Sequence, residues 1–217
     1  MSGGAPVAVF GGTFNPIHFG HLRSALELLE LLGLEQLRFM PAQHPPHRPD
    51  PAVSAEDRAS MIDLAIHGEA RFVCDRRELQ RSGPSYTYDS LCSLRKELGP
   101  ERPLAMVLGC DAVATLDSWH RWDQLCELAH IVVLSRPGWS LAEAGRIADY
   151  LREAAGDPDV MRHGPAGRVV FQSLTPMDVS STTVRGLLQS GRSPRYLLPD
   201  SVLDYIQSRS LYMTEQE

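Results

Sequence analysis

A glycine-rich turn near the start of the chain constrains the fold more than any other stretch of the sequence. Residues 7–10 form a short apolar run rich in valine, which is typical of a buried strand. Gly11-Gly12 ends this run, because glycine lets the backbone turn sharply or approach a ligand closely. Beyond Gly20, apolar side chains recur with the spacing of one helix face, at Leu22, Ala25, Leu26, Leu29 and Leu32. The pattern predicts a strand, a turn that contains His18, and a helix that begins near His21.

The predicted turn suits a phosphate group. The first N–H groups of a helix lack partners within the helix, and the helix dipole favours negative charge at that end. The imidazoles of His18 and His21 can donate hydrogen bonds to phosphate oxygens. The alternative is an ordinary strand–helix connection whose histidines are solvated. The concentration of glycine, histidine and proline between residues 11 and 21 favours the phosphate site, although the stretch matches neither GxGxxG nor GxxxxGK[ST].

Composition limits the partners of the chain. The formal net charge of −6 argues against a broad surface for nucleic acid or anionic membranes, so a phosphate site must be local. No apolar run approaches the roughly 20 residues of a membrane span, and the first residues do not resemble a signal peptide. The cysteines are widely spaced without a CxxC pair, which fits free thiols in a reducing compartment. We therefore predict a cytoplasmic protein without nucleic-acid or membrane partners; whether it forms a homo-oligomer stays open.

Predicted strands and helices alternate along the chain. Further short apolar strands are predicted at 35–40, 71–74, 104–108, 131–134 and 169–171. Helices are predicted from Ser54 to about 67, at 88–98, at 141–155, from Ser180 or Ser181 to Gly191, and at 200–208, with a surface loop at 156–167. This alternation predicts an α/β fold: a Rossmann-like, doubly wound parallel sheet with helices on both faces. We expect a single domain over residues 1–217, with the C-terminal helices from about residue 180 packed on the same sheet.

Polar, glycine-bearing stretches follow several of the predicted strands. They occupy residues 11–21, 41–48, 109–111 and 135–136. In doubly wound sheets, ligands bind outside the carboxyl ends of the strands. The sequence therefore predicts that these stretches meet around one ligand site.

Several of these stretches are similar to motifs of a known superfamily. GGTFNPIHFGH at residues 11–21 resembles the HxGH signature of nucleotidyltransferases, in the form found in bacterial nicotinate-mononucleotide adenylyltransferases. VSSTTVR at residues 179–185 resembles the ISSTxIR segment of the same superfamily. Segments that resemble the nicotinate-mononucleotide branch are PAQHPPHR at 41–48, SYT at 85–87, and GCD at 109–111 followed by Trp119. The resemblance extends from Val7 to about Tyr212.

The chain departs from the family pattern at three positions. Arg48 stands where lysine is usual, Asn15 where aspartate is common, and Val179 where isoleucine is usual. Arg48 keeps the positive charge and adds a planar group suited to phosphate. None of the departures removes a chemical group that the family's reaction needs.

The resemblance implies adenylyl transfer between ATP and nicotinate mononucleotide. The mononucleotide phosphate would attack the α-phosphorus of ATP, giving nicotinate adenine dinucleotide and pyrophosphate in a step of NAD biosynthesis. Because the substrate supplies the nucleophile, no protein nucleophile is required. Catalysis would consist of positioning and charge stabilisation. Mg²⁺ would arrive on the ATP phosphates, without a metal site built by the protein.

The same resemblance implies roles for individual residues. The implied catalytic residues are His18, His21 and Arg185. The implied ATP-binding residues are these three with Gly11, Gly12, Thr13, Phe14, Gly109, Asp111, Ser180, Thr182 and Thr183. The implied mononucleotide-binding residues are Arg48, Tyr86, Thr87, Trp119, His120 and Arg136. Trp119 would offer a flat face to an aromatic ring. Backbone N–H groups at Thr87 and His120 would favour the carboxylate of nicotinate over an amide.

The sequence admits other interpretations. A pantetheine-phosphate adenylyltransferase or a cytidylyltransferase would share the first and last motifs, but neither readily explains Trp119 behind the GCD segment. A nucleotide-binding sensor would bind ATP without releasing pyrophosphate. A zinc site could use two HxxH pairs, His18 with His21 and His44 with His47. Against zinc, no cysteine or acid with metal-ligand spacing lies near either pair.

Overall fold

Six parallel strands form one sheet at the centre of the protein. The computed structural model describes residues 4–45, 51–135 and 138–213. In these ranges the strands are β1 (Val7–Gly12), β2 (Gln36–Pro41), β3 (Phe72–Cys74), β4 (Leu104–Gly109), β5 (His130–Ser135) and β6 (Val169–Ser173). Their order is β3-β2-β1-β4-β5-β6, and every neighbouring pair is parallel. The predicted α/β fold is confirmed, and the strand order reverses between β1 and β4, where such sheets bind ligands.

Helices cover both faces of this sheet. They are α1 (Phe19–Leu31), α2 (Ala55–Ile66), α3 (Thr87–Leu98), α4 (Cys110–Val113), α5 (Leu125–Leu128), α6 (Arg146–Glu153), α7 (Ser181–Gln189) and α8 (Asp200–Ser208). Short 3₁₀ helices lie at Leu116–Ser118, Trp122–Gln124 and Pro158–Arg162. None of the helices in the described ranges is long and apolar enough to cross a membrane.

The strands are apolar at nearly every position because both of their faces are buried. On β1, Ala8 belongs to one core cluster and Val7 to another, since successive side chains of a strand point to opposite faces. The Ala8 cluster also contains Val184 of α7 and Val202 of α8. The Val7 cluster contains Leu151 of α6. The C-terminal helices thus share a core with the sheet, while the assignment of all 217 residues to a single domain stays a prediction.

Helix ends follow the signals in the sequence. At the start of α2, the Ser54 Oγ accepts a hydrogen bond from the Asp57 N–H at 3.0 Å. At the start of α7, the sequence left the cap open between Ser180 and Ser181. The structure selects Ser180, whose Oγ accepts from the Thr183 N–H at 3.1 Å. Helix α3 ends at Gly99, which has a φ of 84° that favours glycine.

Two predicted elements differ from the structure. The helix predicted at 141–155 is shorter and begins at Arg146, because Gly145 before it has a φ of 121°, outside the helical region. The stretch 156–167 was predicted as a surface loop, yet it contains the 3₁₀ helix Pro158–Arg162. Met161 in that helix is fully buried in the Ala8 cluster, so part of the stretch lies against the core.

Candidate active site

The carboxyl ends of the central strands open into a cleft of about 2600 Å³. Every described residue of the predicted site except Thr183 lines it, namely Gly11, Gly12, Thr13, Phe14, His18, His21, Tyr86, Thr87, Gly109, Asp111, Trp119, His120, Ser180, Thr182 and Arg185. Arg48 and Arg136 lie outside the described residues. The structure therefore brings the stretches at 11–21, 85–87, 109–111 and 180–185 around one cavity.

The glycines at the strand ends serve different purposes. A Cβ on Gly12 would lie 3.0 Å from the ring of the buried Phe14, so the fold itself requires glycine there. A Cβ on Gly11 or Gly109 would meet no atom of the described residues within 4 Å. Both of these glycines line the cleft. The space beside Gly11 and Gly109 is therefore available to a ligand that approaches the backbone closely.

Two histidines stack at the start of α1. His18 is the residue before the helix, and it is only 5% exposed. Its ring centroid lies 3.7 Å from that of His21, with 28° between the ring planes. A Cβ on Gly20 would come within 3.0 Å of the His18 ring and 2.9 Å of Val179 Cγ1. Glycine at position 20 is thus what lets the His18 ring lie against its own helix.

Both imidazoles are neutral in the folded protein. Burial lowers the pKa of His18 from 6.5 to about 4. Burial, and then the neighbouring His18, lower the pKa of His21 well below its usual value. The His18 backbone N–H donates to the His21 Nδ1 at 3.3 Å. The proton of neutral His21 is therefore on Nε2, which makes that atom a hydrogen-bond donor.

Side chains of α7 and of the C-terminal segment form hydrogen bonds with the turn after β1. The Arg185 Nη1 donates to the Asn15 carbonyl oxygen at 2.7 Å, and the Ser181 hydroxyl donates to the Pro16 carbonyl oxygen at 2.9 Å. The Tyr212 hydroxyl donates to the Asn15 Oδ1 at 2.7 Å. Neither Ser181 nor Tyr212 was predicted as a site residue from the sequence. Ser181 lies within the ISSTxIR-like segment, which was the available signal, whereas Tyr212 gave none.

A buried arginine of α2 also forms a hydrogen bond with this turn. Arg58 of α2 is 1% exposed, and its Nη1 donates to the Thr13 carbonyl oxygen at 2.5 Å. Its Nη2 donates to the Ala42 carbonyl oxygen at 2.6 Å, just after β2. Arg58 was not predicted as a site residue from the sequence. The available signal was helical spacing, because Arg58 lies four residues before the buried Ile62 on the same helix face.

Hydroxyl groups gather at the start of α7. The Ser180 Oγ caps the helix and lies 2.9 Å from the Thr183 Oγ1, so Thr183 contributes to the cap and does not line the cleft. The Arg185 Nη2 donates to the Thr182 Oγ1 at 3.3 Å. The helix N-terminus, the hydroxyls and the guanidinium form a group of donors that suits an anion. An ATP contact by Thr183 stays a prediction.

Aromatic rings line the other end of the cleft. Tyr86 is the residue before α3, and its ring centroid lies 4.7 Å from that of His120. Thr87 is the first residue of α3, where backbone N–H groups have no helical partner. Trp119 is half-buried against the Val7 cluster and also lines the cleft. This end combines flat apolar faces with N–H donors, which suits a planar ring that carries an acceptor.

The described residues contain no cluster of three or more histidine, cysteine, aspartate or glutamate side chains suited to a metal ion. His47, which the zinc interpretation requires, lies outside the described residues. Around residues 18–21 and 178–185, the described groups that line the cleft include imidazoles, hydroxyls and a guanidinium as donors, together with the carboxylate of Asp178. Such donors suit phosphate oxygens directly, and they suit a Mg²⁺ that is held by phosphates and water.

The sequence is similar to recognised proteins over nearly its whole length. The cytidylyltransferase-like family model matches residues 9–187. A probable nicotinate-nucleotide adenylyltransferase from Pseudomonas putida (strain W619) is 48% identical over 207 residues, covering 95% of this chain and 94% of that protein. A protein of the same description from Hahella chejuensis (strain KCTC 2396) is 47% identical over 211 residues and covers 96% of each chain.

The fold is similar to that of a solved structure, the Plasmodium falciparum nicotinic acid mononucleotide adenylyltransferase complexed with NaAD. The TM-score is 0.73 at 16% sequence identity, and the match covers 96% of this chain and 98% of that one. At this level of identity the likeness concerns the fold alone.

The neutral histidine pair predicts a specific loss of stability in acid. An unfolded histidine titrates near pH 6.5, whereas folded His18 titrates near 4, so the unfolded state binds more protons between these values. The free energy of unfolding should therefore fall as the pH drops from 6.5 towards 4, by up to about 3 kcal/mol for His18. Urea unfolding at pH 7 and pH 4.5 measures the total loss, to which His21 also contributes, and His18→Gln should remove the part that belongs to His18. The exposed His163→Gln is the matched control, and an equal loss in wild type and His18→Gln would contradict the prediction.

Proposed function

This chain belongs to the nicotinate-nucleotide adenylyltransferase family, and we propose that it joins ATP and nicotinate mononucleotide to give nicotinate adenine dinucleotide and pyrophosphate, a step of NAD biosynthesis. One observation carries the proposal more than any other. The stacked, neutral His18 and His21 stand at a helix N-terminus beside the open space at Gly11. That arrangement supplies several N–H donors to one phosphate chain.

The reaction needs no nucleophile from the protein. A phosphate oxygen of nicotinate mononucleotide forms a bond to the α-phosphorus of ATP, and the bond between that phosphorus and the bridging oxygen of the β-phosphate breaks. Pyrophosphate leaves with the electron pair of that bond. The protein's task is to hold two anions in line and to stabilise the charge that moves to the leaving group.

The histidine end of the cleft would hold the ATP phosphates. The Nε2–H of His21 and the ring N–H of His18 would provide neutral donors, with Thr13 beside them. The backbone N–H groups of Phe19 and His21 in α1 already donate to the carbonyl oxygens of Leu197 and His18. Arg185 uses two of its five N–H donors for Asn15 and Thr182, so others remain for phosphate. These donors gain strength as charge develops on pyrophosphate, which is the condition for lowering the barrier.

The remaining ATP contacts follow from the strand ends and the start of α7. The bare backbone at Gly11 and Gly109 would allow the nucleotide to lie against the sheet. Asp111 would accept a hydrogen bond from a ribose hydroxyl, and Ser180 with Thr182 would meet the phosphates from the α7 side. Mg²⁺ would enter on the ATP phosphates and neutralise part of their charge.

The aromatic end of the cleft would hold the mononucleotide. Trp119 would face the pyridine ring, while the backbone N–H groups of Thr87 and His120 would meet its carboxylate. Tyr86 would close the pocket beside His120. Arg48 and Arg136, outside the described residues, stay predicted phosphate ligands. The cytoplasmic location and the absence of nucleic-acid and membrane partners also stay predictions. The oligomeric state stays open.

Replacement of either histidine should reduce turnover much more than substrate binding. His18→Ala and His21→Ala each remove a donor whose bond strengthens in the transition state. Loss of one such donor lowers kcat by on the order of 100-fold or more. Pyrophosphate release from ATP and nicotinate mononucleotide measures the effect, with the exposed His163→Ala as control. Near-normal turnover in both variants would refute the catalytic role of the histidines. If the wild type binds ATP but releases no pyrophosphate, the protein is a nucleotide-binding sensor instead.

An added methyl group at Gly109 should block ATP without harming the fold. A Cβ at Gly109 meets no atom of the described residues within 4 Å and enters the cleft. Gly109→Ala should therefore keep the thermal midpoint and raise the KM for ATP roughly tenfold or more. Gly186→Ala is the matched control, because its Cβ also meets no described atom within 4 Å and Gly186 does not line the cleft. Unchanged KM values in Gly109→Ala would place ATP elsewhere.

The acid mononucleotide should be preferred over the amide. A pocket with N–H donors at Thr87 and His120 suits a carboxylate and leaves the amide's NH₂ group without an acceptor. A buried NH₂ group without a hydrogen-bond acceptor costs roughly 1–3 kcal/mol, so kcat/KM for the acid should exceed that for the amide by about tenfold to a hundredfold. Side-by-side specificity constants for nicotinate and nicotinamide mononucleotide test this. Equal values, or a preference for the amide, would show that another group, such as the nearby Asp117, governs the pocket.

A further inference from the structure

A buried carboxylate lies at the mononucleotide end of the cleft and has no part in the chemistry described above. Glu78 is 7% exposed, and it lies in the connection between β3 and α3. The Ser90 hydroxyl donates to its Oε1 at 2.6 Å, and the Ser85 hydroxyl bonds the same carboxylate. Glu78, Ser85 and Ser90 all line the cleft. A buried charge of this kind persists only where hydrogen bonds satisfy it.

The hydrogen bonds of Ser85 explain what this carboxylate does. The Ser85 Oγ accepts from the backbone N–H groups of Gln43 at 3.0 Å and His44 at 3.3 Å. With both acceptor sites of the hydroxyl oxygen used, the proton of Ser85 is left to donate to a third group. Burial raises the pKa of Glu78 and a side-chain hydrogen bond with Ser85 opposes that rise, which identifies the Glu78 carboxylate as the acceptor. The backbone N–H of Ser85 also donates to the His44 carbonyl oxygen at 3.0 Å.

A second contact joins the same two segments. One atom of the Gln43 side-chain amide lies 2.8–3.1 Å from the carbonyl oxygens of Glu78, Leu79 and Arg81, and because all three partners are acceptors we assign that atom as the amide nitrogen. The segment after β2 is therefore attached to the β3–α3 connection at both Gln43 and His44. The segment after β2 continues from His44 into Pro45, and the β3–α3 connection continues from Ser85 into Tyr86. Both Pro45 and Tyr86 line the cleft.

We propose that Glu78 is a positioning residue for the mononucleotide: it orients the Ser85 hydroxyl, which fastens the segment after β2 to the start of α3. This inference rests on the proposed function. Glu78 acts through Ser85 and not by touching the substrate, because its carboxylate already accepts from Ser85 and Ser90. A carboxylate is also a poor partner for an anionic mononucleotide. The effect should therefore concern the mononucleotide and not ATP, whose predicted contacts lie on β1, the turn after it, the start of α1, β4, α4 and α7.

Steady-state kinetics of pyrophosphate release can separate this role from a purely structural one. Glu78→Gln keeps the shape but loses one acceptor, so the Ser85 proton and the Gln43 and His44 N–H groups can no longer all be satisfied. The KM for nicotinate mononucleotide should rise about tenfold. The kcat and the KM for ATP should stay close to wild type, while the thermal midpoint should fall by about 2–4 °C for each kcal/mol of lost hydrogen bonding. Ser85→Ala should give the same pattern, and Ser85→Thr, which keeps the hydroxyl, should restore the KM.

Controls and a double variant sharpen the test. Glu97→Gln and Ser93→Ala make the same chemical changes on α3, in the network around Arg77 and outside the cleft lining, and should leave every constant unchanged. Because Glu78 acts through Ser85, the double variant Glu78→Gln/Ser85→Ala should be no worse than either single variant.

Several results would overturn the inference. An unchanged mononucleotide KM in Glu78→Gln would do so, as would a lower KM, which would mean that Glu78 repels the substrate directly. If Glu78→Gln does not fold, Ser85→Ala decides, because it removes a single oxygen atom. Loss of folding in both, or additive effects in the double variant, would assign these residues to the fold. If the wild type releases no pyrophosphate, the proposed function is refuted. If the wild type is active and the variants are unaltered, only the inference about Glu78 is refuted and the proposed function stands.

Discussion

The active cleft depends on hydrogen bonds donated to the carbonyl oxygens of one turn. Residues 13–16 follow β1 and leave the sheet, so their carbonyl groups have no strand partner. Arg58 takes the Thr13 oxygen, Arg185 takes that of Asn15, and Ser181 takes that of Pro16. A buried carbonyl without a donor costs about 1–3 kcal/mol, so these contacts decide where the turn lies. Phe14 in this turn has a φ of 47°, a strained conformation that persists because its surroundings fix it.

The position of this turn also determines the geometry of the two histidines. His18 directly follows the turn and precedes α1, so its ring can stack on His21 only if the backbone enters the helix in this direction. Gly20 provides the space for that ring. Donors that are held before the substrate arrives need no reorganisation during the reaction, which is the main source of electrostatic stabilisation by proteins. The buried Arg58 therefore fixes the turn that precedes the histidines, although Arg58 itself does not line the cleft.

Much of this arrangement follows from local sequence patterns. Apolar runs predicted all six strands, and alternation with helices predicted a parallel sheet, because crossover connections require it. Capping by Ser54 was equally visible, since a cap bonds within its own turn. The beginning of α6 was not, because only the observed φ of Gly145, 121°, shows that this glycine lies outside the helix. Arg58 and Tyr212 were missed because each acts on residues far away in the chain. Glu78 was missed because its partner Ser90 is twelve residues away and belongs to a different element.

The neutral histidines also explain how a chain with a net charge of −6 can accept two anionic substrates. Burial removes charge from the rings, and a stacked pair of imidazolium ions would repel each other at this distance. The cleft therefore combines N–H dipoles, which do not need a counterion, with the charged guanidinium of Arg185. A phosphate placed beside the rings acts on their pKa in the opposite direction to burial, because a nearby anion raises the pKa of a histidine.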